Sequence, residues 1–226
     1  MPTTPPPKRH PYDQWAPDAR ALDLVGDKWT LLIVRDLAGG PRRFVELQRV
    51  LPGISTEQLR SRLNRMVADG LLTRQRYREV PPRVDYELTE RARDLLPVVA
   101  ALARWGYRWA WGPPRPGEAI DIGAILRSAP GFAAPDGMHG SVEVVIEEAP
   151  GRARHHVLHV ADGSIAYEQR SAPEADAHVS GTQRAWIEAL GPDGSHGHLE
   201  ISGRQALAEE VLDALDAVAV RRAAVA

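Results

Sequence analysis

"ISTEQLRSRLNRMVADGLLTR", residues 54–74, decides the fold of the first part of this chain. At about 100° per residue, Leu59, Leu63, Met66 and Val67 gather on one side of a helix. The opposite side carries Glu57, Ser61, Asn64 and Arg65, flanked by Gln58, Arg60 and Arg62. Ser55 followed three residues later by Gln58 has the spacing of a capping box, with Thr56 in the first turn, and Gly70 is a stop before a β-type run. The pattern predicts a helix with one buried face and one face of hydrogen-bonding groups.

Working outward, "RRFVELQRVLPG" upstream predicts a short helix with Phe44, Leu47 and Leu51 on one face. Before it, "DARALDLVGDKWTLLIVRDLAGG" predicts one helix, N-capped by Asp18, with a possible kink at Gly26 and an end at Gly39-Gly40. Downstream, the β-type runs Leu71–Tyr77 and Arg83–Leu88, joined through "REVPP", predict a hairpin with a basic tip. Three helices and a basic hairpin in this order make a winged helix-turn-helix, whose third helix enters the DNA major groove while the wing lies on the backbone. Ser55, Thr56, Glu57, Gln58, Arg60, Ser61, Arg62 and Arg65 are the candidate groove residues, because Arg, Gln and Ser can read base edges. Arg42, Arg43, Arg78 and Arg83 are the candidate phosphate contacts, which give affinity without sequence information.

After an N-cap at Thr89, "ERARDLLPVVAALARWGYRWAWG" aligns Leu95, Val98, Val99, Leu102, Trp105 and Trp109 along one stripe, which Pro97 should kink or split. So small a domain has little core to cover that stripe, so a second copy is the expected cover. A two-fold dimer would present two recognition helices ~34 Å apart to a pseudo-palindromic operator in double-stranded DNA.

Charge divides the chain. The 226 residues carry a net charge of −2, but residues 1–117 hold 20 Lys+Arg against 13 Asp+Glu and residues 118–226 hold 8 against 17. A basic first part can collect on a polyanion that an acidic second part would avoid. The "GPPRPG" run, residues 112–117, reads as a stiff linker between a domain spanning 12–111 and another spanning 118–226, with a disordered Pro-rich arm at 1–11. The absence of cysteine removes disulfides, thiolate metal sites and thiol switching, and suits a cytoplasmic location. Neither an export signal nor a membrane span is indicated.

The run from "ALDLVGDKWTLLIVRDL" through "RF.EL", "GIS...L..RL..M..DGLL.R", "PPRV.YELT" and "RWG", over most of residues 16–106, resembles the HxlR family of bacterial winged-helix regulators. That resemblance implies a homodimeric transcription factor, more often a repressor, pairing through the first helix and the helix after the wing. Members commonly carry a cysteine ahead of the first helix; here Ala16 stands there, so thiol sensing by that route is excluded.

In the second part, a helix is expected over "EAIDIGAILRSA", and "GSVEVVIEE" alternates with Val142, Val144 and Ile146 inward. "HHVLHVADGSIAYEQ" predicts a hairpin about Asp162-Gly163. "DAHVSG" and "SHGHLEISG" predict short strands, and "TQRAWIEAL" and "RQALAEEVLDALDAVAV" helices, the latter with Leu207, Val211, Leu215 and Val218 in one stripe. This is an α+β domain, a mainly antiparallel sheet covered by helices. "VADGSIAYEQ", "ADAHVSGT", "GHLEISG" and the closing helix resemble the sterol-carrier-protein type of lipid-binding domain, which implies an apolar or aromatic small-molecule effector; Trp186, Ile187, Leu190, Leu207, Val211 and Leu215 are the candidate liners. His155 and His159, with His196 and His198, would make a four-nitrogen metal site only if their strands were adjacent, and no metal or other cofactor is expected. With no nucleophile elbow, phosphate-cradling loop or dinucleotide fingerprint, the chain does not read as an enzyme. The expected function is a ligand-responsive DNA-binding regulator; the alternative is a lipid-binding or transfer protein that uses its first part only to dimerise.

Overall fold

The computed structural model describes residues 11–77, 83–132, 134, 137–192 and 194–215. The expected disordered arm lies, apart from Pro11, outside the described residues. The chain forms two compact units, Met1–Leu96 and Pro97–Ala226.

The first unit runs α1 (Pro17–Val25), α2 (Thr30–Asp36), β1 (Arg42–Arg43), α3 (Phe44–Val50), α4 (Thr56–Ala68), β2 (Leu72–Tyr77), β3 (Arg83–Leu88) and α5 (Glu90–Arg93). The single N-terminal helix expected from the sequence is two helices, a break rather than a kink. Gly26 ends α1, its N–H bonded to Leu22 O, and a Cβ there would sit 2.6 Å from that oxygen. Asp27 then starts α2, accepting from the Trp29 and Thr30 amides at 2.8 and 3.1 Å and from the Thr30 hydroxyl. Asp18 is a first-turn residue, not the N-cap, because Pro17 takes the first helical position behind Ala16. Arg42 and Arg43 are not helical either: they pair antiparallel with Tyr86 and Asp85, giving a three-stranded sheet of order β1-β3-β2. Ile33, Val34, Leu37, Leu47, Leu51, Leu59, Leu63, Met66, Leu72 and Leu88 are buried.

The second unit contains nearly all of α6 (Leu96–Trp109), then α7 (Ile122–Leu126), β4 (Gly140–Ala149), β5 (Arg152–Ala161), β6 (Ser164–Glu168), β7 (Ala177–Thr182), α8 (Gln183–Ala189), β8 (Glu200–Gly203) and α9 (Gln205–Leu215). Its sheet has the order β6-β5-β4-β7-β8, antiparallel except where β4 and β7 run parallel. The β5–β6 hairpin turns at Asp162 and Gly163, both with positive φ, as a two-residue turn of this kind requires. Val142, Val144, Ile146, Leu158 and Val179 from the sheet share one core with Trp186, Leu190, Leu207, Val211 and Leu215 from α8 and α9. Val218 lies outside the described residues.

Three differences from the sequence reading concern boundaries. The compact units divide between Leu96 and Pro97 rather than at residues 112–117, because Ala100 and Tyr107 of α6 are buried in the same core as Ile122, Leu126 and Trp186. The helix expected over "EAIDIGAILRSA" shrinks to Ile122–Leu126, since Asp121 is extended and its carboxylate is engaged by Arg127. The "SHGHLEISG" strand begins only at Glu200; His196–His198 form a 3-10 turn.

Candidate nucleic-acid interface

The recognition helix α4 is fixed at both ends by bonds its sequence encodes. Ser55 Oγ accepts from the Gln58 amide at 3.1 Å while Gln58 Oε1 accepts from the Ser55 amide at 3.1 Å, so the capping box closes. At the other end Gly70, with φ of 71°, lets the Leu71 amide reach Met66 O at 2.8 Å and its own amide reach Val67 O at 3.1 Å. That pair of bonds is a Schellman motif, and Leu71 and Met66 are both buried beside it. Arg91 Nη1 adds a bond to Asp69 O at 3.0 Å, tying α5 to the end of α4.

These bonds sort the eight groove candidates. Ser55 and Gln58 spend their side chains on the cap, and Thr56 Oγ1 accepts from Gln48 Nε2 of α3 at 2.8 Å. Arg62 pairs with Asp27 at 2.9 Å, reaching back to the α1–α2 break. Arg65 Nε donates to Asp69 Oδ2 at 2.9 Å, and the Asp69 side chain is only 2% exposed. Glu57, Arg60 and Ser61 remain exposed, and so does Asn64, which the candidate set omitted. Spacings of three and four residues place these four on one face of the helix. The signal for Asn64 was available in the helical projection, and that for Arg65 in its i,i+4 spacing from Asp69; the signal for Arg62 was not, since Asp27 is distant in sequence.

In the wing, β2 and β3 pair from Leu72↔Leu88 to Tyr77↔Arg83. Arg74 and Arg76 are exposed on β2, Arg43 is exposed on β1 and Arg42 half-buried. Arg78 lies outside the described residues, as does the side chain of Arg83.

In the second unit, Trp186, Leu190, Leu207, Val211 and Leu215 are buried in one core and Ile187 packs against it. The four histidines of the metal reading do not converge: His155 and His159 are on β5, separated by β4 and β7 from the β8 edge that follows His196 and His198. Among the described residues no group of three or more His, Asp or Glu side chains could hold a metal ion, and no helix is long and apolar enough to cross a membrane.

Sequence reading missed a carboxylate. Glu143, on the face of β4 away from Val142 and Val144, is buried rather than solvated. It accepts from His155 Nδ1 at 2.9 Å, His178 Nδ1 at 3.0 Å, Ser171 Oγ at 3.1 Å and the Ala172 amide at 2.9 Å. Burial pushes its pKa up, but the bonds from Ala172, His155, His178 and Ser171 outweigh that and bring it from 4.5 to about 2. Alternation marked the position as outward; only the β6–β7 connection folding over it makes it interior.

A helix-turn-helix with a paired wing, its helix α4 capped and offering a polar face, is the class of a winged DNA-binding regulator. Comparison with known proteins gives the family. The HxlR-like helix-turn-helix family model matches residues 24–112. An uncharacterised HTH-type transcriptional regulator of Synechocystis is 41% identical over 93 residues, covering 41% of this chain and 69% of that protein. The uncharacterised HTH-type transcriptional regulator YybR of Bacillus subtilis is 36% identical over 97 residues, covering 43% of this chain and 78% of that protein. A solved structure, the redox regulator HypR in its oxidised form, shares 37% identity over 40% of this chain and 94% of that one, with a TM-score of 0.39. The chain belongs to the HxlR-like helix-turn-helix family, and its N-terminal region is that of a transcriptional regulator. The family match ends at residue 112, ahead of the sheet of the second unit.

Proposed function

We propose that the chain is a sequence-specific, ligand-responsive regulator, a repressor that binds double-stranded operator DNA as a homodimer. The observation that carries the DNA reading is the exposed quartet Glu57, Arg60, Ser61 and Asn64 on a helix whose other polar side chains are engaged in holding it. Arg60 suits the O6 and N7 edge of guanine and Asn64 the N6 and N7 edge of adenine. Arg62 and Arg65 position the helix, while Arg42, Arg43, Arg74, Arg76, Arg78 and Arg83 serve the phosphates.

The second unit is the effector domain in this reading, of sterol-carrier type, taking an apolar or aromatic molecule between sheet and helices. What supports it is the resemblance of "VADGSIAYEQ", "ADAHVSGT" and "GHLEISG" to that type, with the candidate liners in or against the core that joins the sheet to α8 and α9. A ligand that favours one arrangement of the dimer by ~1–3 kcal/mol would change operator affinity ~5–150-fold. The test is a gel shift and footprint on the DNA upstream of its own gene. Arg60→Ala should weaken binding to the protected site ~5–150-fold while sparing weak nonspecific binding; equal loss on all sequences would refute base reading by this face. A panel of apolar and aromatic compounds should alter the wild-type shift, and no response from any would remove the effector reading.

A further inference from the structure

The recognition helix is held at its C-terminal end from outside itself. The successive carbonyls that follow α4, those of Asp69, Gly70 and Leu71, are met by two residues at the start of α5. Arg91 Nη1 donates to Asp69 O at 3.0 Å. Thr89 Oγ1 donates to Gly70 O at 2.8 Å, with Leu71 O at 3.2 Å, and the Thr89 amide donates to Leu71 O at 3.1 Å. The same hydroxyl oxygen accepts from the Ala92 amide at 3.3 Å, so Thr89 caps α5 while it holds the end of α4. The Arg65 bond to Asp69 runs along the helix, whereas these bonds come from another element. Bonds of the second kind fix the direction of the helix axis.

That end is costly to build. Asp69 puts a carboxylate at the negative end of the α4 dipole, and its side chain is only 2% exposed, so position and burial both disfavour the charge. Asp69 Oδ1 has no hydrogen-bond partner among the described residues. Arg91 brings a positive charge to the same end, where the dipole favours one. The base-reading side chains lie well away from this clamp: Arg60 is nine residues before Asp69, about 13 Å along the axis. A tilt of ~5° about the clamp therefore shifts Arg60 by about 1 Å, enough to take a guanidinium out of hydrogen-bond range of a base edge.

We propose that Thr89 and Arg91 are positioning residues of operator recognition, which set the direction of α4, and that the second unit acts on DNA binding through them. The chain passes from one unit to the other between Leu96 and Pro97, a few residues beyond Arg91. Only Asp94 and Leu95 stand between α5 and α6, and their amides still donate to Glu90 O and Ala92 O at 3.1 Å, so the connection has little slack. A displacement of α6 is passed to α5, and from there to the carbonyls that follow α4. This rests on the reading of α4 as the recognition helix. Arg91 is exposed, yet its role here needs no contact of its own with DNA. Because linkage is reciprocal, operator binding acts on the second unit as strongly as that unit acts on operator binding.

The test compares affinity for the duplex upstream of its own gene with that for a scrambled duplex of equal length. It uses the full chain as wild type, as Arg91→Ala and, should the first not fold, independently as Thr89→Val. Each variant should weaken the operator complex about tenfold and leave the scrambled duplex and the salt slope as they were. Arg91→Lys and Thr89→Ser, which keep a donor, should recover most of the loss. Hydrogen exchange should show operator binding raising protection in α8 and α9 of the wild type, and leaving them unchanged in Arg91→Ala. Loss on both duplexes with a flatter salt slope would make Arg91 a phosphate contact and overturn the proposal. So would full operator affinity in both variants, no recovery by either conservative replacement, or exchange in α8 and α9 that ignores the operator. A wild type that prefers neither duplex sinks the recognition-helix reading, and the clamp with it; that failure shows before any variant is made.

Discussion

Removing the Arg65 guanidinium would leave the Asp69 carboxylate buried beside the end of the recognition helix without the charge that balances it. Arg65→Ala should therefore lower stability by about 1–3 kcal/mol in denaturant unfolding. The base preference of whatever folds should be unchanged. Among the described residues Arg60 has no such tie, and it is exposed, so Arg60→Ala should leave unfolding where it was and cost ~1–3 kcal/mol on the cognate operator alone. In the second unit, Glu143 is held at about 2 by its hydrogen-bond donors, below its ordinary 4.5. A depressed carboxylate contributes stability that is complete above the ordinary value and disappears as pH falls through the folded one. The window is thus pH ~4.5 down to ~2, and the loss is about 3 kcal/mol. Acid titration of unfolding should show it, followed through the buried Trp186, and Glu143→Gln should flatten the pH dependence in that window.

At the scale of elements, α4 illustrates how a helix can be specified almost entirely by its own sequence. Its capping box and its glycine stop are local bonds between residues a few positions apart, which is why the pattern of Ser55, Gln58 and Gly70 was sufficient. Ser55→Ala should destabilise the first unit by about 1 kcal/mol, and Ser55→Asp should restore most of it. The wing is different in kind, since Arg74 and Arg76 are exposed. Arg76→Ala should leave stability alone, weaken binding to all sequences alike and reduce the salt dependence of operator affinity by about one unit of log-log slope. Where local reading failed, a side chain left its element. The long first helix breaks because Asp27 turns to cap α2 and to receive Arg62, and periodicity has no term for a carboxylate that serves two helices.

Over the whole molecule, charge and packing draw different boundaries. The net charge of +7 up to residue 117 against −9 after it describes which part can approach a polyanion. The division of the core between Leu96 and Pro97 describes which parts fold as units. Between the two boundaries lies α6, basic like the DNA-binding region, with Arg104 and Arg108, yet buried on one side with the acidic unit.

The sequence by itself determined the winged helix-turn-helix, the capped recognition helix and its polar face, the sheet of the second part with its tight Asp162-Gly163 turn, and the family. All of these follow from periodicity, capping and turn chemistry acting over a few neighbouring residues, or from the local order of motifs. Only the tertiary structure decided that Arg62 is a brace, that Glu143 is interior and that α6 packs with the second unit. Each depends on a partner brought close by the fold rather than by the chain: Asp27, the crossing segment at Ser171 and Ala172, and the core around Trp186. A side chain's burial and its ion pairs are properties of what packs over it, and one-dimensional spacing does not carry that information.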